Sequence, residues 1–451
     1  MEQENKFFSW LENNLMGPLS KMAQFKIVRA IMGAGVAAIP FTIVGSMFLV
    51  LNVLPTAIPA LQGIFDTSLG KISPLYMLAN TATMGILALY FNLVLGYEYT
   101  KIYAEEDDLD LNPLNGALLS MFAFFMSIPV LVFADSSIVR VTEITDASTI
   151  VNGWIMGGDG VARLGTAGIF TGIIMAIIAV QLYRLCVAKQ WVIKMPEGVP
   201  DGVTRSFTAL VPAFVIAFVV IIINGILVAL GTDIFTMIEV PFGFVTNIAN
   251  SWLGVVVIFF FIHLLWLVGI HGTNTIIPML QPILLGNLAL NAQEGQIVPF
   301  AGAFAKTFVE IGGSGATLGA VIIITFFAKS QQLKSLGKAA IIPSIFNINE
   351  PVIFGLPIIY NPYLAIPFIV APMINVSLSY WAIKLGFISP IIAQAPWPTP
   401  VGISAFIGTG GDWRSVVLAL LLLGLSTVIY YPFIRAYDQK LLQQEMEISE
   451  A

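Results

Sequence analysis

The chain has 451 residues, of which 57% are hydrophobic and 10% charged, with a mean hydropathy of +0.89. A soluble globular chain carries about 25% charged residues, because it must cover its surface with polar groups. A deficit this large excludes a soluble fold and points to lipid as the solvent. The net charge of −6 excludes little, and no basic patch with interleaved aromatics points to nucleic acid.

The first segment, MEQENKFFSWLENNL, lacks the basic and apolar regions of a signal peptide. It reads as an amphipathic helix with Phe7, Phe8, Trp10, Leu11 and Leu15 on or near one face. A membrane span needs about 20 mainly apolar residues, and roughly ten stretches qualify. In the first half they are residues 30–54, 75–97, 114–134, 164–187 and 207–230. In the second half they are 252–270, 363–385 and 416–433, with two shorter, interrupted ones at 275–290 and 316–328. The single cysteine, Cys186, falls in the fourth stretch, which excludes an internal disulfide and a cysteine-based metal cluster. The acidic stretch at 105–110, EEDDLD, reads as a solvated loop.

Lys and Arg near the span ends set orientation. Four basic groups fall on one side: Lys21, Lys26 and Arg29; Arg184, Lys189, Lys194 and Arg205; Lys329, Lys334 and Lys338; Arg435 and Lys440. That side is expected to be the cytoplasm, with both termini on it. Arg140 and Arg163 are exceptions, offset by Asp135, Glu143, Asp146 and Asp159. The polar segment KQWVIKMPEGVPDGVTR lies between the fourth and fifth spans. We expect an N-terminal membrane domain at 1–190, a linker at 191–205 and a substrate-binding domain at 206–451. The fifth span, near 207–231, can belong to the first domain.

The second half breaks the simple pattern. VPFAGAFAKTFVEIGGSG, at 298–315, is semi-polar and ends in a glycine cluster. KAAIIPSIFNINEPVIFGLPIIYNP, at 338–362, has apolar arms around a polar centre. Both read as re-entrant hairpins, near 297–315 and 339–361. The expected fold is an all-α integral membrane protein of about ten transmembrane helices plus these two hairpins. Irregular backbone at membrane depth is tolerated only where it is buried in protein or lines a watery cavity. A substrate pathway is therefore expected in this half.

Ionisable groups at membrane depth are costly and usually functional. Glu350, beside Asn349 in the NINEP turn, has no Lys or Arg near it in sequence. His271 stands in an irregular polar turn with Gly269, Gly272 and Asn274. His263 lies among large apolar residues, so a packed histidine and a functional one are both open readings. Glu310 can serve the site or pair with Lys306 at i,i+4. Trp397, in QAPWPTP, is either an interfacial anchor or a platform for a sugar ring. The GGSG turn is a plain turn or, through Gly313 and Ser314, brings backbone N–H groups close to a ligand.

At four of these segments the chain resembles a known family: MPEGVPDGVTRSF (195–207), WLVGIHGTN (266–274), GGSGATL (312–318) and FNINEPVIFGLP (346–357). They are similar to those of the lactose/cellobiose/diacetylchitobiose family of phosphotransferase-system IIC components. The resemblance covers nearly the whole chain. It implies carriage of a β-linked disaccharide, diacetylchitobiose or cellobiose, across the bacterial inner membrane. The sugar's 6-hydroxyl would be phosphorylated by a separate cysteine-phosphorylated IIB protein, itself served by IIA. It further implies a homodimer through the N-terminal half and a mobile C-terminal half. Glu350 and His271 match family residues near the sugar, and Trp397 matches the stacking aromatic. Asn274, Gly313, Ser314 and Asn349 complete the expected binding set. Glu350 is the first candidate for a base or orienting role toward the 6-hydroxyl, and His271 the second. No cofactor or metal is expected. The rival reading is an ion-coupled secondary sugar transporter without phosphorylation. A membrane hydrolase lacks support, since neither HExxH nor GxSxG occurs.

Overall fold

The computed structural model describes residues 24–450 apart from 135, 142–143, 146–147, 158–159, 197–198, 268, 294, 357 and 359–361. The expected amphipathic helix at the N-terminus lies outside the described residues. So do Asp135, Glu143, Asp146 and Asp159.

The long helices of the first half are α1 (Lys26–Ala57), α2 (Leu87–Glu106), α3 (Pro113–Ser127), α4 (Ile169–Ala188) and α5 (Leu210–Ala229). Helix α2 packs between α1, α3 and α4. Small residues permit this closeness: a Cβ on Gly96 would lie 2.3 Å from Ser120, and one on Gly116 would lie 1.8 Å from Thr100. One end of the bundle gathers charge. Lys26 pairs with Asp107, Arg29 with Glu106, and Arg184 reaches Asp107 at 3.4 Å. Part of the acidic loop is thus an ion-paired cap on α1 and α4. The hydrogen bond from Lys26 holds the Asp107 carboxyl below its usual range, aided by the Arg184 guanidinium.

Two stretches expected as single spans are interrupted. Helix α3 stops at Ser127, near Pro129, which cannot donate to a helix ladder. The chain then forms β1 (Leu131–Ala134) and β2 (Ser137–Arg140), paired antiparallel. A second antiparallel sheet follows, of β3 (Ile144–Thr145), β4 (Ser148–Val151), β5 (Trp154–Gly157) and β6 (Gly160–Val161). Its central turn is Asn152-Gly153, with φ of 50° and 85°, the backbone a tight hairpin demands. The stretch at 75–97 breaks into short turns before α2 begins. Arg163 pairs with Asp233, lies over the Phe235 ring and donates to the Ile128 carbonyl at 3.0 Å.

The second half opens with α6 (Ile234–Asn250), a helix not foreseen in the sequence, which bends by 74° into α7 (Trp252–Leu267). It continues with α8 (Gly272–Asn291), α9 (Leu318–Phe326), α10 (Gln331–Ile345), α11 (Glu350–Gly355), α12 (Pro362–Lys384), α13 (Ile403–Gly408) and α14 (Trp413–Glu450). Among the described residues, six helices are long and apolar enough to cross a membrane, seven if α6 and α7 form one bent span. Helix α9, with 9 residues at about 1.5 Å each, is too short to cross and packs against α10. One hydrophobic core gathers residues from Ala30 to Ile238 with Leu285. The others gather residues from Val255 to Leu441. Helix α8 leans on α1 and joins the two regions.

Candidate functional site

Where α8 begins, the chain leaves α7 through Gly269, whose φ is 85°. His271 then caps α8: its Nδ1 accepts the N–H of Asn274 at 3.2 Å. Accepting there leaves the neutral ring's proton on Nε2, so Nε2–H is the free donor. The Trp266 ring packs on the imidazole with centroids 4.2 Å apart.

The two irregular segments meet beside this cap. In the first, residues Ala305–Val309 form one π-helical turn, a distortion frequent at functional sites. The glycine cluster follows, with Gly312, Gly313 and Gly315 all at positive φ. In the second segment, Asn347 is itself left-handed, at φ 63°. Its side chain accepts from the Gly312 N–H at 2.9 Å and donates to the carbonyls of Trp397 and Thr399 at 3.0 and 3.1 Å. Asn349 donates to the Ser314 carbonyl at 2.6 Å and to Thr317 Oγ1 at 3.0 Å. Two asparagine amides thus staple both hairpin tips and the proline-rich loop into one unit.

This unit, α8 and α1 enclose a cavity of about 440 Å³. His271, Asn274, Ser314, Asn349, Glu350 and Trp397 all line it. Gly313 sits one layer back, where a Cβ would lie 2.3 Å from Asn349. Trp397 is 56% exposed, leaving an indole face available to a ligand. No hydrogen bond or ion pair from another described residue engages the Glu350 carboxylate, although the residue is exposed at the cavity wall. The sequence reading missed the other lining groups. Thr273, Gln281, Lys306, Asn347 and Gln394 add polar atoms, and Gly35, Val36, Ile39 and Ile43 of α1 form an apolar wall from the first half. Nothing in the local pattern of α1 marks that wall; it follows from α8 packing on α1.

Behind the wall lies a buried charge network. Glu310 is wholly buried and pairs with Lys306 at 2.6 Å. Its other oxygen accepts from Thr273 at 2.5 Å and Ser314 at 3.3 Å. The i,i+4 pairing reading is therefore realised. His263 is wholly buried, donates to its own helix at the Phe259 carbonyl (2.7 Å) and stands edge-on to Phe368. It does not reach the cavity. Among the described residues, no cluster of metal-ligating side chains occurs.

The cavity wall offers one carboxylate, one imidazole, one ammonium, amides, hydroxyls and an indole. Residues 32–372 match the family model described as Phosphotransferase system, EIIC. The lichenan permease IIC component of Bacillus subtilis is 32% identical over 98% of this chain and 96% of its own. A cellobiose-specific EIIC component of Geobacillus stearothermophilus is also 32% identical, with 98% and 96% covered. The crystal structure of the transporter ChbC, the IIC component of the N,N'-diacetylchitobiose-specific phosphotransferase system, superposes with a TM-score of 0.83. It shares 33% identity over 97% of this chain and 99% of that one. The chain is a multi-pass membrane permease and belongs to the phosphotransferase-system EIIC family.

Proposed function

We propose that this permease carries a β-linked disaccharide, diacetylchitobiose or cellobiose, and presents its 6-hydroxyl to a separate phospho-IIB protein. The observation that carries the reading is the cavity in which Glu350, His271 and Trp397 meet. Glu350 has acceptor capacity for sugar hydroxyls, the His271 Nε2–H donates, and the indole of Trp397 stacks on a pyranose face. Asn274, Ser314 and Asn349 frame the ring hydroxyls, and Gly313 holds Asn349 in place. Phosphoryl transfer is mostly positioning and electrostatics. Glu350 orients the 6-hydroxyl and takes its proton, with His271 as the second candidate. The single cysteine, Cys186, is buried in α4, so the phosphoryl-bearing cysteine belongs to IIB. In this reading both termini face the cytoplasm, where IIB docks. The first-half bundle dimerises and the hairpin-bearing half moves.

The test is Glu350→Gln, which keeps the shape and removes the charge. Insertion should be normal while phosphosugar formation falls by at least about a hundredfold, the scale of a lost acid–base group. Normal uptake and phosphorylation by this variant would sink the assignment.

A further inference from the structure

The Lys306–Glu310 pair has no part in the reading above, and its geometry is lopsided. Glu310 is wholly buried, while the Lys306 side chain keeps 25% exposure and lines the cavity. An ion pair at membrane depth is poor evidence for stability, because desolvation offsets the attraction, and apolar side chains of equal volume hold a fold as well. Hydrogen-bond capacity shows the asymmetry. The carboxylate faces inward: one oxygen accepts from Thr273 and Ser314, and the other has the Lys306 ammonium as its ion-pair partner. An ammonium has three donors, and Glu310 takes one of them. No other described residue engages Lys306 Nζ, so two donors remain for the cavity. Lys306 is also the only Lys or Arg lining it among the described residues.

We infer that Lys306 is a ligand-reading donor, and that Glu310, as a positioning residue, cancels its charge so that the cavity holds a neutral sugar and releases the phosphorylated product. This rests on the disaccharide reading. With Lys306 neutralised, the net charge of the lining is that of Glu350, which repels a phosphate monoester. An uncompensated Lys306 in the same place would attract one, and product would be retained. The pair spans the π-helical turn, where the Glu310 N–H donates to the Ala305 carbonyl at 2.8 Å.

The test measures dissociation constants of the full chain in nanodiscs for diacetylchitobiose and for its 6-phosphate. The variants are Glu310→Gln, Lys306→Met and the double variant, which removes both charges while the introduced amide keeps the hydroxyl partners of the carboxylate. Glu310→Gln should raise affinity for the 6-phosphate relative to the neutral sugar by roughly tenfold, the scale of one added charge at this range. The double variant should bring that ratio back to the wild-type value, and both Lys306 variants should bind the neutral sugar about tenfold more weakly. An unchanged ratio in folded Glu310→Gln, or wild-type sugar affinity in the double variant, would overturn the inference and leave the pair as a hairpin staple. A wild-type chain that binds neither ligand would instead overturn the disaccharide reading, and this inference with it.

Discussion

Gly313→Ala couples backbone geometry to ligand binding in a single methyl group. Gly313 adopts φ 98°, a conformation that costs an L-residue about 1–2 kcal/mol. The new Cβ would lie 2.3, 2.5 and 2.7 Å from Cγ, Oδ1 and Cβ of Asn349. Those contacts are with a buried side chain fixed by two hydrogen bonds, so it cannot swing aside without losing them. Overpacking of this kind costs about 1–3 kcal/mol, giving about 2–5 kcal/mol in all. The strain falls on the residue before Glu350. Thermal unfolding in detergent should show a marked loss of stability, and sugar binding should fall further than stability alone accounts for, because the carboxylate is displaced. Gly286→Ala in α8 is the control. Its Cβ meets nothing within 4 Å, and it should be neutral or stabilising by up to about 1 kcal/mol. Wild-type sugar affinity in Gly313→Ala would refute the claim that the glycine turn positions the NINEP tip.

Asn347→Gly keeps the left-handed backbone but removes three hydrogen bonds; it should destabilise by about 2–4 kcal/mol and loosen the Trp397 loop, read by melting temperature and by faster proteolysis at that loop. Trp397→Phe should retain most sugar affinity and Trp397→Ala lose about tenfold or more, since aromatic stacking contributes about 0.5–1.5 kcal/mol beyond area burial; equal affinities in titration would count against stacking. Asp233 caps α6 through the Thr236 N–H at 2.9 Å and pairs with Arg163. Burial pushes its carboxyl up, but these partners outweigh burial and hold it below the usual value. Its stabilisation is therefore present above the unfolded value of about 3.9 and is lost as pH falls through the lower folded value. Asp233→Asn keeps an N-cap acceptor but loses the charge paired with Arg163, and should cost about 1 kcal/mol at neutral pH, with the gap to wild type closing in melts at progressively acidic pH.

The membrane class and several spans were legible because unbroken apolar runs have one physical cause. The hairpin tips were legible for a related reason: NINEP and GGSG interrupt such runs, and interruption at membrane depth demands a protein or watery partner. Helix α6 was not, because Glu239, Asn247 and Pro241 break its hydropathy and its apolar residues lie on one face. Strand β1 lies inside the expected third span and the other strands lie between that span and the fourth, where no strand was expected although VNGW carries the Asn-Gly signal of a two-residue hairpin turn. Within the site, residue types announced Glu350, His271 and Trp397, whereas Asn347, Gln281 and Gln394 are amides of ordinary appearance. Their roles depend on which segments meet. Gly313 was marked by its motif, but only the structure shows that its missing side chain makes room for Asn349.

The most direct test of the sugar cavity is equilibrium binding of radiolabelled diacetylchitobiose to the full chain in liposomes. Cellobiose, lactose and a monosaccharide serve as competitors, and the assay is repeated with Glu350→Gln and His271→Ala. Saturable binding is expected, displaced by a β-linked disaccharide in preference to the monosaccharide and lost in the Glu350 variant. A folded wild-type chain that binds no disaccharide, or a Glu350→Gln chain that binds as tightly as wild type, would contradict the assignment of this cavity as the sugar site.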